Sequence, residues 1–213
     1  MTKSARRLGI LLSGRGSNFW AIHESVQQGM LDAEIGCVIS DKESAAGLAL
    51  ARNADYDALY LSPQGWDREA YDRRVVGELR NRNIALVCLA GFMRIITPYF
   101  VREFRHRILN IHPSLLPSFP GLDAQKKALD YGVKVTGCTV HFVDEGVDSG
   151  PIIVQAAVAV LMGDTVESLS ARILQQEHIL YSQAIGYALD GRCRVEGRRV
   201  LIANEAETDL SKT

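Results

Sequence analysis

The strongest constraint on the fold is an alternation. Through the first half of the chain, short continuous apolar runs are separated by amphipathic stretches of helix length. Leu8–Leu12, Ile35–Ile39, Ala58–Leu61 and Ile84–Ala90 read as strands. Asn18–Gln28, Ser44–Asn53 and a segment capped by Asp67 and running to Asn81 read as the helices between them. Strands spaced by helices specify parallel βαβ units. A run such as IALVCLA lacks polar alternation, so the sheet that holds it is covered on both faces. The expected class is α/β, a three-layer doubly wound sheet, mostly parallel, with a Rossmann-like N-terminal half.

The second half changes character. Arg107–Ile111 reads as a fifth strand and runs into HPSLLPSFPG, which holds three of the chain's six prolines. Prolines at that density forbid ladder pairing and mark a rigid irregular loop. Asp123–Asp130 reads as a short helix. Val133–Val143 and Pro151–Val160 read as an antiparallel pair joined by DEGVDSG. Asp164–Leu189 reads as one long helix, with Asp164 and Glu167 spaced as a capping box. Arg192–Leu201 reads as a hairpin turning at Glu196-Gly197. No repeat or low-complexity linker interrupts the chain, so one domain over 1–201 is expected, followed by a polar tail over 202–213.

Composition excludes several classes. At 213 residues and 47% hydrophobic content, the chain can bury a large core and is not disordered throughout. A net charge of −1 argues against a general nucleic-acid binder, so any anionic ligand needs a local site. No apolar run approaches the roughly 18–20 residues of a membrane span, and the Leu8–Leu12 run is too short for a signal peptide. Cys37, Cys88, Cys138 and Cys193 form no C-x-x-C pair, and three of them lie in strand-like runs as buried thiols do. A reducing cytoplasm is the expected compartment.

Four places could carry chemistry. The turn Ser13-Gly14-Arg15-Gly16-Ser17-Asn18 leads from a strand into a helix N-terminus, where free backbone N–H groups attract anions. Phe19 stands where a dinucleotide fingerprint needs its third glycine, which leaves two readings: one phosphate held by Gly16, Ser17 and Asn18, or a capped tight turn. Asn110 and His112 end the fifth strand on one face, where parallel sheets bind ligands; the alternative is a satisfied core histidine beside a turn asparagine. The loop Asp144-Glu145-Gly146-Val147-Asp148 brings carboxylates that could orient an imidazole and favour its protonated form, or it is a solvated tip. Glu177 falls on the apolar stripe of the long helix with Val166, Leu169, Ile173, Leu180 and Ala184, either as an ion-pair member or as a ligand anchor. No metal-ligand spacing and no nucleophile elbow is present, so the chemistry is expected to run through Asn, His and Asp without a metal.

The strings SGRGSN, LAGFMRIITP, NIHPSLLPSFPG, GVKVTGCTVHFVDEGVDSGPII and ILQQEH occur in order over about residues 7–200. In these the chain resembles the folate-dependent formyltransferases, and within them the phosphoribosylglycinamide formyltransferase family of purine biosynthesis. The resemblance implies the formyltransferase fold and transfer of a formyl group from 10-formyltetrahydrofolate, a co-substrate, to the amine of glycinamide ribonucleotide. It implies Asn110, His112 and Asp148 as the catalytic set. Gly16, Ser17 and Asn18 would hold the ribose phosphate, and Gln176 and Glu177 the ribose. Met93, Arg94, Ile95 and Ile96 would line the pterin pocket, with Asp144, Glu145, Gly146 and Val147 closing over it. Arg68 would meet the benzoyl-glutamate end, and the Leu116–Pro117 bond would be cis. Partners would be these two small molecules, with no nucleic acid and no membrane, in a monomer or a homodimer.

Arg15 and Asp41 depart from the family, which commonly has Asn at both places. Related activities fit less well. A formyltetrahydrofolate hydrolase usually carries an N-terminal regulatory domain and a Lys where this chain has Gly91. Methionyl-tRNA formyltransferase needs a C-terminal RNA-binding domain, and fewer than 25 residues follow the long helix here. A non-catalytic binding module would not need the complete Asn110, His112 and Asp148 set.

Overall fold

The computed structural model describes residues 6–203. The polar tail expected over 202–213 lies, from 204 onward, outside the described residues, and Ile202 belongs to a strand rather than to the tail. The chain divides into two compact units, Met1–Asn110 and Ile111–Thr213.

The elements from the N-terminus are β1 (Arg7–Leu12), α1 (Ser17–Gln27), β2 (Glu34–Ser40), α2 (Ala46–Asn53), β3 (Ala58–Tyr60), α3 (Arg68–Asn81), β4 (Leu86–Leu89), α4 (Pro98–Glu103) and β5 (Ile108–His112), the last of which runs across the division between the units. The strands lie in the order β3-β2-β1-β4-β5, every neighbouring pair parallel. Consecutive residues are buried along β1, β2 and β4, so both faces of the sheet are covered, as the unbroken apolar runs require. Leu8, Ile10, Leu11, Leu12, Val38, Ile39 and Val87 are fully enclosed, each burial contributing about 1.5–3 kcal/mol. The chain leaves β1 toward β2 and β3, then returns to β4 on the other side. β1 and β4 therefore flank the reversal of strand order, and their carboxyl ends open onto the place where such sheets bind ligands.

Asp67 caps α3 as its position predicts, accepting the Ala70 N–H at 2.8 Å. Helix α4 is absent from the sequence reading. Its signal is Thr97-Pro98, with Pro at the first helical position, where a missing N–H costs nothing.

In the second unit α5 (Ala124–Tyr131) precedes β6 (Val135–Phe142) and β7 (Ile152–Ala159), which pair antiparallel as expected. After α6 (Val166–Leu189), β8 (Cys193–Glu196) and β9 (Arg199–Ile202) form the terminal hairpin, and β9 adds to β7 in parallel. The capping box of α6 is Thr165 with Ser168, not Asp164 with Glu167. Asp164 is taken up elsewhere: it accepts the Leu161 N–H, the Ser168 hydroxyl and both arms of the Arg172 guanidinium at 2.7–2.8 Å. Val166 is exposed and does not belong to the buried stripe, whereas Leu169, Ile173, Glu177, Leu180 and Ala184 do.

Candidate active site

At the carboxyl end of β1 the chain turns through Gly16, whose φ of 79° suits glycine. A Cβ there would lie 2.5 Å from the Gly47 Cα, so two backbones meet where neither residue can carry a side chain. Gly16 is also the N-cap of α1, and no side-chain bond closes that cap. Glycine has no side chain to offer, and the positive end of an 11-residue helix stands at Ser17 and Asn18.

The loop after β4 is held along its length. Ser13 N–H donates to the Gly91 carbonyl at 3.0 Å, and Met93 N–H donates to the Ser13 hydroxyl at 2.9 Å. At the other end the Thr97 N–H donates to Asp72 at 2.6 Å. Between them the Arg68 guanidinium donates to the Ile95 carbonyl at 3.1 Å, and Arg94 lies 4.5 Å over the Tyr71 ring. Burial pushes the Asp72 carboxyl up, against the pull of the Thr97 bond and of Arg94 and Arg68. Met93 and Ile95 stand 61% and 60% exposed on this pinned backbone. Ile96 is buried, so its side chain serves the core and only its backbone is available.

Asn110 and His112 share one face of β5; Asn110 is half-buried and His112 buried. The strand ends one residue later than its sequence suggests, so that His112 is its last member. The proline-rich segment then folds as a cradle around this histidine. Its Leu116–Pro117 bond is cis. Thr139 on β6 donates its hydroxyl to the Ser114 carbonyl at 2.7 Å and accepts the Leu116 N–H at 3.0 Å. Gln155 on β7 donates to the Leu116 carbonyl at 3.0 Å. Held in this way, the segment places the Phe119 carbonyl 2.9 Å from His112 Nε2.

The other ring nitrogen, Nδ1, lies 3.2 Å from Asp148 Oδ2. Asp148 has a left-handed φ of 50°, and its Oδ2 also accepts the Gly121 N–H at 2.8 Å. Burial pushes the His112 imidazole below its ordinary range, while the Phe119 carbonyl and Asp148 pull it back. For Asp148, burial acts upward, but His141, the Gly121 N–H and His112 outweigh it and hold the carboxyl below its ordinary range. The result is a standing carboxylate beside an imidazole whose two ring nitrogens each face an oxygen acceptor, an arrangement that orients the ring and can pass a proton along it.

The remaining expected residues are placed as follows. Asp144 turns inward on its own loop, accepting the Gly146 N–H and the Ser149 hydroxyl at 3.0 and 2.7 Å. Glu145, Gly146 and Val147 are exposed. Glu177 is buried on α6, and burial first, then the charge of Glu177, push the Cys138 thiol of β6 up to about 12. Gln176 is half-buried next to it. His141 was missed by sequence reasoning. It is 1% exposed, with Nε2 3.8 Å from Asp148 Oδ1 and Nδ1 at the Phe142 carbonyl. Its signal was the one that marks Asn110 and His112: polar side chains, here Thr139 and His141, spaced by two near the end of an apolar strand. Among the described residues no group of three or more His, Cys, Asp or Glu could hold a metal ion.

Residues 6–185 match the family described as formyl transferase. The chain is 42% identical to the phosphoribosylglycinamide formyltransferase of Escherichia coli (strain K12), over 87% of this chain and 88% of that one. It is 45% identical to the trifunctional purine biosynthetic protein adenosine-3 of Drosophila pseudoobscura pseudoobscura, over 99% of this chain but only 15% of that protein's length. The crystal structure of glycinamide ribonucleotide transformylase 1 from Symbiobacterium toebii superposes with a TM-score of 0.93 at 50% identity, covering 95% of this chain and 96% of that one. With the fold, the strand-end Asn-x-His and the family match in agreement, this chain belongs to the formyl transferase family.

Proposed function

We propose that this chain transfers the formyl group of 10-formyltetrahydrofolate to the amine of glycinamide ribonucleotide, as one domain over 1–201. The observation that carries the reading is the pairing of His112 with Asp148, His112 standing two residues after Asn110 on the same face of β5. The names of the relatives support the substrates.

The neutral amine attacks the formyl carbon, and a C–N bond forms as the carbonyl oxygen takes up negative charge. The Asn110 amide and the His112 ring donate to that oxygen. His112 Nε2 already points its hydrogen at the Phe119 carbonyl, so the formyl oxygen competes with that carbonyl for it. When the bond to N10 of the folate breaks, the proton lost by the attacking amine reaches N10, with Asp148 and His112 as its path. Holding the two substrates in line supplies the entropic share of the rate.

Gly16, Ser17 and Asn18 hold the ribose phosphate at the uncapped end of α1, and Gln176 and Glu177 take the ribose hydroxyls. Met93, Arg94, Ile95 and the Ile96 backbone receive the pterin. The loop Asp144, Glu145, Gly146 and Val147 covers it, and Arg68 meets the glutamate. No helix among the described residues is long and apolar enough to cross a membrane. The location we infer is the cytoplasm, supported by four free thiols, three of them buried.

The test is tetrahydrofolate release by the purified protein with and without glycinamide ribonucleotide. Release that depends on the amine supports transfer. Release indifferent to the amine supports the hydrolase reading instead.

A further inference from the structure

Ser13 is 4% exposed at the carboxyl end of β1, where the phosphate turn begins. Its hydroxyl accepts the Met93 N–H at 2.9 Å and donates to Asp41 Oδ1 at 2.6 Å. A serine hydroxyl has one hydrogen and two lone pairs. With the hydrogen committed to a carboxylate, the oxygen can act toward Met93 only as an acceptor, and the short charge-assisted bond fixes its rotation. Asp41 is itself 8% exposed and directly follows β2. β2, β1 and β4 are neighbours in the sheet, so three strand ends meet at this one hydroxyl.

The chain beyond Ser13 is equally fixed. The Gly14 carbonyl accepts the Gly47 N–H at 2.9 Å, and Gly16 packs against the Gly47 backbone. The turn that leads to Ser17 and Asn18 is therefore held against α2, with Ser13 as the residue that joins it to β1. On the other side, Met93 opens the pinned loop that carries Arg94 and Ile95. One side chain thus joins the two segments assigned above to different substrates.

We infer that Ser13 and Asp41 are positioning residues: Asp41 fixes the Ser13 hydroxyl as an acceptor, and Ser13 sets the Met93 loop against the Gly16–Asn18 turn, so that the affinities for both substrates depend on this pair. The identity of those substrates rests on the function proposed above; the Ser13–Met93 link does not. An Asn side chain at position 41 keeps an acceptor oxygen while losing the charge. The acceptor, and not the charge, is what the pair requires.

The experiment is steady-state kinetics on Ser13→Ala, Asp41→Ala and Asp41→Asn, with backbone amide exchange read at Met93 in each. Ser13→Ala and Asp41→Ala are expected to raise the KM for nucleotide and for folate together, each by about tenfold, the loss of one buried hydrogen bond. kcat should change far less, and Met93 exchange should accelerate. Asp41→Asn should restore both KM values and the slow exchange. A rise in one KM alone, unchanged KM values in either Ala variant, or an Asp41→Asn protein that behaves like Asp41→Ala overturns the inference. If Ser13→Ala does not fold, the two Asp41 variants decide. If tetrahydrofolate release ignores the amine, the functional reading fails, and Met93 exchange still decides whether the link exists.

Discussion

Asp148 Oδ2 lies 3.2 Å from His112 Nδ1 while accepting the Gly121 N–H at 2.8 Å. The carboxylate that orients the imidazole is thus anchored to the same proline-rich segment whose Phe119 carbonyl holds the ring's far side. Neither ring nitrogen can turn without breaking a contact, so the residue is preorganised before a substrate arrives.

Replacing Asp148 removes both the orienting contact and the charge. Asp148→Asn keeps the shape of the side chain, and turnover should fall by roughly 10²–10⁴-fold, the usual worth of a positioned acid–base group. Asn110→Ala should cost roughly 10²–10³-fold in kcat for the loss of one oxyanion donor. Both proteins should melt close to the wild type in calorimetry. Near-normal kcat in either contradicts the assignment.

Acid should destabilise the protein in two stages. His112 is held below 6.5, so as the pH falls through that value the unfolded chain takes up a proton that the folded chain refuses. Asp148 is held below 3.8, so its stabilising share is full above that pH and is lost as the pH falls past it toward the lower folded value. Thermal midpoints measured across acidic pH should decline first near the upper value. His112→Asn should flatten that first stage and leave the second.

Gly16→Ala tests the uncapped helix end. The substitution forces a Cβ into a left-handed backbone and onto the Gly47 Cα, at a cost of about 1–3 kcal/mol. Denaturant titration should register that loss, and the KM for glycinamide ribonucleotide should rise because the turn must open to relieve it. An unchanged KM would place the phosphate elsewhere.

Glu177 is buried among apolar residues of α6. As a ribose anchor it accepts from two hydroxyls, and Glu177→Gln retains one acceptor. The KM for the nucleotide should rise about tenfold with little change in melting temperature. A large fall in melting temperature at constant KM would return Glu177 to a structural role.

Much of this arrangement is legible in the sequence because its causes are local. Unbroken apolar runs announce β1, β2 and β4, and HPSLLPSFPG announces an irregular loop. A carboxylate on an apolar stripe announces Glu177. The misses have physical reasons as well. Asp164 has a capping spacing but finds stronger partners in Arg172 and the Leu161 N–H, which no spacing rule weighs. Val166 fits the helical period yet lies in the first turn of α6, where the stripe has not reached the core. Ser13, Asp41 and Met93 are far apart in the chain, and only the order β2-β1-β4 brings them together. His141 gains its meaning from Asp148, across the loop that joins β6 to β7.

The central claim, formyl transfer to an amine, is tested most directly by following the carbon. 10-Formyltetrahydrofolate labelled in its formyl group is incubated with the protein and glycinamide ribonucleotide, and the labelled product is identified by mass. The account predicts the label on the glycinamide nitrogen, in step with tetrahydrofolate release and abolished by Asp148→Asn. Label recovered as free formate at the same rate with or without the amine would contradict it.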